Sequence, residues 1–238
     1  PQWYASNAGL VEEYHDHIPS REGWAARHWS RIQGAEHLAT RDRAGIFNLS
    51  TFGKIEVGGP GALSFLESIC ANRIDRPVGT IVYTALCNSR GGIVADLTVS
   101  RLEEDRFWIL TGGGVGPHDF AWIRQHAPTQ GAVTLRNMGG QVTTVGLWGP
   151  RARDILQPLV EEDISNAAFP FYTVRSLQIE SVPALALRLS YAGELGWEIY
   201  APSEYGLRLW DLLGEAGRPH GLVAGRAGPG PAAPPPPP

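Results

Sequence analysis

Apolar and polar residues alternate over several short stretches in the first half of the chain, and this period predicts β-strands. In residues 93–101 the side chains of Ile93, Ala95, Leu97 and Val99 fall on one face. Similar stretches, separated by turn-forming residues, predict strands at residues 53–57, 80–87 and 107–111. The pattern therefore predicts an antiparallel meander of the kind found in α+β folds.

Apolar residues spaced three to four apart predict helices among these strands. Helices are expected over residues 62–71 and 119–126, and Ser203 is expected to cap a third helix over residues 204–217. Further strands are expected near residues 174–179, 184–190 and 197–201.

The second half of the chain weakly repeats the first, which predicts two related lobes. In each half a strand leads through a Gly-Pro turn to a helix, at Gly59 and Pro60 and again at Gly149 and Pro150. The predicted organisation is an aromatic N-terminal arm (1–38), a domain (39–224) of two lobes (about 39–140 and 141–224), and a disordered proline-rich tail (225–238).

Composition narrows the classes of function. Of the 238 residues 43% are hydrophobic and 18% charged, and the net charge of −4 gives no electrostatic reason to expect nucleic-acid binding. No apolar run approaches the roughly 20 residues of a membrane span, and residues 1–7 do not resemble a signal peptide. Cys70 and Cys87 have no metal-binding spacing and fit a reducing compartment. We expect a cytoplasmic protein, or a mitochondrial matrix protein in a eukaryote.

Asp96 is a candidate functional residue because aspartate is unfavourable inside a strand. Two interpretations remain open at this point. Asp96 belongs either to a solvated polar face that it shares with Thr98 and Ser100, or to a binding site.

Glu194 is the second candidate, since it lies in a turn between Gly193 and Gly196. It is either a solvated turn residue or a carboxylate that accepts hydrogen bonds from a heteroaromatic ring. Pterin and guanine rings present suitable adjacent NH and NH2 donors.

Two other motifs do not support a site. The sequence TGGGVG at residues 111–116 lacks the third glycine of a dinucleotide-binding loop, since Pro117 occupies that place. His15 and His17 could share a metal ion, but no neighbouring residues complete its coordination.

Two longer motifs carry a resemblance to a known family. YTALCNSRGGIVADLTVSRL (83–102) and RLSYAGELGWEIYAP (188–202) resemble the folate-binding module of the aminomethyltransferases, which include the glycine cleavage T-protein. The chain is most similar to the C-terminal half of sarcosine and dimethylglycine dehydrogenases. The resemblance implies a two-lobed, antiparallel-sheet, α+β module that is C-terminally truncated and lacks the family's C-terminal β-barrel domain.

The resemblance also implies residue roles. Asp96 would face the reactive N5/N10 edge of tetrahydrofolate and act in catalysis, and Glu194 would bind the pterin ring. The pocket would further be lined by Tyr191, Tyr83 and Leu86. Thr111 and Gly112 stand where the T-protein branch has Ser-Asn, so the amide contact of that branch is missing.

The implied function is transfer of a one-carbon unit to tetrahydrofolate, giving 5,10-methylenetetrahydrofolate, within an enzyme that oxidises an N-methyl amino acid such as sarcosine or dimethylglycine. FAD would reside in a separate or missing flavoprotein domain or subunit. The alternatives are a non-catalytic folate-binding or scaffold protein, and an inactive truncated remnant.

Overall fold

Two β-sheets pack face to face in the computed structural model, which describes residues 6–190 and 193–225. Helices cover the outer face of each sheet, so each has a hydrophobic core of its own. A third apolar cluster lies between the sheets. Strands that are apolar on both faces have to be covered on both, and these layers provide the cover.

The strands, in chain order, are β1 (Gly45–Asn48), β2 (Gly53–Gly58), β3 (Ile81–Cys87), β4 (Ile93–Glu103), β5 (Arg106–Thr111), β6 (Thr134–Asn137), β7 (Val142–Trp148), β8 (Val174–Ile179), β9 (Val182–Leu187), β10 (Gly196–Pro202) and β11 (Val223–Gly225). The helices are α1 (Leu10–Glu13), α2 (Gly23–His28), α3 (Arg31–Asp42), α4 (Ala62–Ile69), α5 (Gly116–His126), α6 (Ala152–Leu156) and α7 (Gly206–Gly217). Short 3-10 turns lie at His15–His17, Gln157–Leu159, Ser203–Tyr205 and Arg218–His220.

The five-stranded sheet has the order β3-β4-β5-β2-β6 and is antiparallel throughout. It contains the predicted meander. Helices α4 and α5 cover its outer face, where Phe65 and Ile123 pack against Leu97 and Val99. The predicted alternation in β4 is confirmed for Ala95, Leu97 and Val99, which are buried.

The six-stranded sheet has the order β11-β1-β7-β10-β9-β8. Only its β1–β11 pair is parallel. Helices α6 and α7 pack on its outer face around the fully buried Trp197.

The predicted repeat corresponds to two strand–turn–helix units, β2–α4 and β7–α6. Gly59 and Gly149 begin the turns with φ of 106° and 129°, values that favour glycine. A Cβ on Gly149 would lie 2.6 Å from the carbonyl oxygens of Thr40 and Arg43, so the close chain crossing also requires glycine there.

Three elements differ from the sequence expectation. Ser203 does not cap α7: a 3-10 turn precedes that helix, and the Ser203 hydroxyl donates to the Gly140 carbonyl at 2.8 Å. Helix α3 crosses the expected end of the arm at residue 38. Strand β1 lies in the first half of the chain but joins the six-stranded sheet, where Ile46 packs in the same core as Leu147.

Among the described residues, no helix is both long enough and apolar enough to span a membrane. Residues 226–238, most of the predicted tail, lie outside the part of the chain that the structure describes.

We predict that the contact between the sheets depends strongly on Trp108. Its ring meets Tyr200 edge to face, with 5.9 Å between ring centroids, in the apolar cluster between the sheets. Trp108→Ala should lower the free energy of unfolding by about 3–5 kcal/mol, measured by urea denaturation. Leu207→Ala is the control, because that side chain is 75% exposed and should change stability by no more than about 0.5 kcal/mol. Similar small losses in both variants would contradict the packing described here.

Candidate functional site

The inter-sheet face of the five-stranded sheet consists of rows of side chains set by the strand register. Residues that pair directly across strands present their side chains on the same face. Three rows lie on this face: the Trp108 row (Ile81, Ser100, Trp108, Glu56), the Leu110 row (Tyr83, Thr98, Leu110, Lys54) and the Asp96 row (Ala85, Asp96).

The six-stranded sheet presents matching rows toward it. These are the Thr144 row (Thr144, Tyr200, Leu185), the Glu198 row (Phe47, Gly146, Glu198, Leu187) and the Trp148 row (Gly45, Trp148, Gly196).

Contacts between the sheets align these rows. The Lys54 ammonium donates to the Thr144 hydroxyl at 3.3 Å, which joins the Leu110 row to the Thr144 row. On one side of this contact, Trp108 and Val142 line a shared cavity. On the other side of the Lys54–Thr144 contact, the next row of the five-stranded sheet is the Asp96 row, and the next row of the six-stranded sheet is the Glu198 row. The register therefore brings these two carboxylates to the same end of the inter-sheet space.

Asp96 is exposed at that end and is held by a neighbouring tyrosine. The Tyr83 hydroxyl donates to Asp96 Oδ2 at 2.7 Å. The polar side of β4 is not a uniformly solvated face, because Ser100 is fully buried and Thr98 is half-buried between the sheets. The polar residues along β4 are therefore buried at Ser100, half-buried at Thr98 and exposed to solvent at Asp96.

Glu198 is the most deeply buried carboxylate on this face, with 5% of its surface exposed. The Tyr200 hydroxyl donates to its Oε2 at 2.6 Å. Burial raises the pKa of Glu198 from 4.5 to about 7, although the Tyr200 hydrogen bond opposes this shift. Within the described chain, no donor is recorded to the other oxygen, Oε1. A carboxyl group in this state can accept hydrogen bonds from a ligand.

Lys54 is a buried cation in the same space. Besides Thr144, its ammonium donates to the Ser50 carbonyl at 2.9 Å, and no acidic partner is recorded among the described residues. Burial lowers the pKa of Lys54 from 10.5 to about 8. The space between the sheets therefore combines polar groups with the apolar cluster.

Glu194 lies just before β10, at the end of the sheet where the Trp148 row lies. Its backbone N–H donates to the Ser190 hydroxyl at 3.1 Å, which fixes the turn. Its Oε1 is 3.7 Å from Arg41 Nη2, and 21% of its side chain is exposed. Glu194 is thus largely covered, in contrast to the solvated-turn interpretation.

The structure does not bring every predicted residue to the inter-sheet face. Leu86 is fully buried in the core under α4 and α5, on the opposite face of β3 from Tyr83. Thr111 also faces that side, where its hydroxyl donates to the buried Asp119 carboxylate. For Leu86 and Thr111, a place in the folate pocket stays a prediction.

Gly112 follows β5 at the Asp96 end and is exposed. A Cβ there would meet only Val115, at 3.5 Å, so the space beside it is open. Tyr191 lies outside the described residues.

Sequence reasoning did not single out two residues that the structure makes distinctive, Glu198 and Tyr172. Glu198 carries the same signal as Asp96, an acidic residue within a strand of apolar neighbours, Trp197 and Ile199. Tyr172 is distinctive for its positive φ of 61°, a backbone angle that the residue type does not indicate, so the sequence carries no signal for it. Its N–H donates to the Arg188 carbonyl and its carbonyl accepts from the Ile81 N–H, so its main chain bridges the two sheets.

The cavity at the opposite end of the inter-sheet space has a volume of about 630 Å³. Trp108, Met138, Leu185 and Tyr200 form part of its wall, whereas neither Asp96 nor Glu194 lines it. Tyr200, which lines this cavity, also donates a hydrogen bond to Glu198. We place the candidate chemistry at the carboxylate end, because size alone does not supply groups that bind or move protons.

We predict that the buried state of Glu198 makes stability depend on pH. A carboxyl with a raised pKa binds protons more tightly in the folded than in the unfolded chain, so stability falls as pH rises from about 4.5 through about 7. Glu198→Gln removes this cost and keeps an acceptor for Tyr200. The difference in free energy of unfolding between the variant and the natural chain should therefore increase by about 2–3 kcal/mol in favour of the variant from about pH 5 to about pH 8, measured by urea denaturation.

Tyr200→Phe provides the second arm of this test. Losing the hydrogen bond that favours the charged form should make the fall in stability with pH larger. A stability difference between the natural chain and Glu198→Gln that is the same at both pH values would contradict the assignment of a buried, titrating carboxyl.

Comparison with known proteins identifies the family. A family model described as the GCVT N-terminal domain matches residues 1–228. Mitochondrial dimethylglycine dehydrogenase of Rattus norvegicus is 36% identical over 203 residues, which cover 85% of this chain and 24% of that protein. The aminomethyltransferase of Halalkalibacterium halodurans is 36% identical over 216 residues, covering 90% of this chain and 58% of the relative. The chain thus spans about a quarter to just over half the length of these relatives.

Solved structures agree with this assignment. The glycine cleavage system aminomethyltransferase T of Bartonella henselae superposes with a TM-score of 0.71 and 25% identity, covering 91% of this chain and 58% of that one. Heterotetrameric sarcosine oxidase from Corynebacterium sp. U-96 gives a TM-score of 0.61 over 84% of this chain at 16% identity, which shows a shared fold alone. The predicted resemblance and the predicted aminomethyltransferase-like α+β fold are confirmed: the chain belongs to the GCVT N-terminal domain family.

Proposed function

We propose that the chain is a folate-binding module that transfers a one-carbon unit to tetrahydrofolate, giving 5,10-methylenetetrahydrofolate. The observation that carries the proposal is that Asp96 and Glu198 both lie on the facing sides of the two sheets, each one row beyond the Lys54–Thr144 contact and away from the cavity. Support comes also from family membership and from relatives named aminomethyltransferase and dimethylglycine dehydrogenase.

The residues present fit a reduced folate. Its pterin ring offers an adjacent N–H and NH2, which a carboxylate can accept together. Glu198 is our candidate for this acceptor, because it is buried, already ordered by Tyr200 and has a second oxygen without a recorded donor in the described chain. Glu194, which the family resemblance favours for this role, is proposed as a second acceptor nearer the mouth of the site, meaning the solvent-exposed end of the inter-sheet space where Asp96 lies.

Asp96 is the proposed catalytic residue. Tetrahydrofolate supplies two nucleophilic nitrogens, and the reaction requires that their protons be removed and that positive charge be stabilised during ring closure. A carboxylate beside the reacting nitrogens can take up a proton and stabilise that charge. Asp96 is exposed to solvent, so a ligand can reach its carboxylate without any movement of the two sheets.

The carbon donor is proposed to be an N-methyl amino acid, oxidised by a flavoprotein domain or subunit. This part of the proposal depends on the dimethylglycine dehydrogenase relative, of which the chain matches 24%. It predicts that supplying a sarcosine-oxidising flavoenzyme and sarcosine lets the chain capture the released one-carbon unit on tetrahydrofolate.

The first test compares two carboxylates by calorimetric titration with 5-formyltetrahydrofolate, which binds without reacting. Hydrogen bonds to a charged group contribute about 1.5–3 kcal/mol, so Glu198→Gln should weaken binding about 10- to 100-fold. Glu194→Gln is the matched comparison and should weaken it less, since its carboxylate lies nearer the mouth and beside Arg41. A larger loss of affinity in Glu194→Gln would show that Glu194, and not Glu198, is the main pterin acceptor. Unchanged affinity in both variants would contradict the proposed site.

The same titration should depend on pH in one direction. A ligand that donates to Glu198 prefers the ionised carboxylate, whose pKa is about 7. Affinity should therefore fall about tenfold from pH 8 to pH 6 in the natural chain and stay level in Glu198→Gln. The same fall in both would show that another group controls binding.

The second test concerns Asp96 and the rate. Asp96→Asn should bind 5-formyltetrahydrofolate within about threefold of the natural chain, because shape and hydrogen-bonding capacity are retained. Its rate of methylenetetrahydrofolate formation should fall by about 10²–10⁴, the usual contribution of a general acid–base group. Formation from formaldehyde can be followed spectrophotometrically and compared with the uncatalysed reaction. A natural chain that binds folate but gives only the uncatalysed rate would instead support a non-catalytic folate-binding protein.

A further inference from the structure

Tyr83 and Asp96 form a hydrogen-bonded pair at the mouth of the candidate site. We propose that Tyr83 is a positioning residue that acts through Asp96: its hydroxyl holds one oxygen of the carboxylate and leaves the other for the reacting nitrogen of the ligand. This inference rests on the proposed function, since it assigns a task to a second residue of the same site.

The strand register explains how the two side chains meet. Tyr83 pairs with Thr98, and Asp96 pairs with Ala85, so Tyr83 and Asp96 are diagonal neighbours on one face of two adjacent strands. Such neighbours lie within reach of an aromatic side chain. The phenol spans the gap and its hydroxyl reaches Asp96 Oδ2 at 2.7 Å, a length typical of a bond to a charged acceptor.

The pair is poorly suited to stabilising the fold. Tyr83 is 52% exposed and Asp96 is exposed as well, so water competes for both groups. The main chain of Tyr83 is secured separately, because its carbonyl accepts from the Asn72 side-chain amide at 2.7 Å and its strand is paired with β4. Removing the hydroxyl should therefore leave the strand in place.

The pair is well suited to positioning a base. An exposed aspartate can rotate about its side-chain bonds, and each unproductive orientation reduces the fraction of bound ligand that can react. A donor to one oxygen restricts that rotation. Among the described residues, Tyr83 is the only donor recorded to Asp96, which leaves Oδ1 for the ligand.

The reaction in which this matters balances without an oxidant or reductant. Formaldehyde and tetrahydrofolate give 5,10-methylenetetrahydrofolate and one water. Two C–N bonds form, the carbonyl oxygen leaves, and the protons of the two nitrogens leave with it. Asp96 can receive a nitrogen proton and return it to the departing oxygen, provided that the carboxylate stays in one orientation.

The test is a double-mutant cycle on the rate of formaldehyde capture. Tyr83→Phe should lower the rate constant at saturating tetrahydrofolate about 10- to 100-fold, while its affinity for 5-formyltetrahydrofolate stays within about twofold because the ring remains. In the Asp96→Asn background the same substitution should cause no further loss, since the carboxylate that it positions has been replaced.

Tyr14→Phe is the matched control. The Tyr14 hydroxyl donates to Asp42 at 3.1 Å and also accepts from Arg43, and both partners lie outside the candidate site, so its loss should change neither rate nor affinity. Thermal unfolding should show that all the variants remain folded.

Three results would overturn the inference alone: an unchanged rate in Tyr83→Phe, a loss that appears in affinity rather than rate, or losses that simply multiply in the double variant. A natural chain that binds 5-formyltetrahydrofolate but does not accelerate capture would also overturn it and leave folate binding intact. A natural chain that binds no folate would overturn the proposed function and this inference together.

Discussion

A carboxyl group buried between two sheets is the constraint on which the candidate site depends. Glu198 lies on a face where a purely apolar contact would be more stable, and burial raises its pKa to about 7. The fold tolerates it because Tyr200 donates a hydrogen bond and because Trp108, Tyr200 and Leu110 form an apolar cluster that holds the sheets together. The sheets thus supply both a rigid frame and a carboxyl acceptor whose Oε1 has no donor among the residues that the structure describes.

The two carboxylates share one local design despite their different surroundings. Each accepts a tyrosine hydroxyl on one oxygen, Asp96 from Tyr83 and Glu198 from Tyr200. Their exposure separates their tasks. In the proposed function, the exposed Asp96 would exchange a proton with the ligand, whereas the buried Glu198 would be a fixed acceptor shielded from water. A ligand with donors at one end and reacting nitrogens at the other could engage both.

The sequence predicted the parts of the fold that depend on local periodicity. The β3–β5 meander, helix α4 and the two strand–turn–helix units follow from alternation, three-to-four spacing and Gly-Pro turns. The placement of β1 in the six-stranded sheet did not follow, because pairing with β7 and β11 is set by contacts distant in sequence.

The same limit applies to the site. Asp96 could be predicted as a site residue because a carboxylate interrupts an apolar strand, and Glu198 has the same feature. Glu194 was predicted instead because it lies in a glycine-rich turn. Which of the two glutamates is deeply buried depends on how the sheets pack, which one chain's pattern does not reveal. The left-handed backbone of Tyr172 is likewise fixed by hydrogen bonds to both sheets.

The most direct test of the central claim is a crystal structure of the chain bound to 5-formyltetrahydrofolate. The account predicts the pterin ring between the sheets, with its N–H and NH2 donors about 3 Å from the Glu198 carboxylate and its reactive edge facing Asp96. A pterin ring bound instead in the cavity lined by Trp108 and Met138, or bound away from both carboxylates, would contradict it.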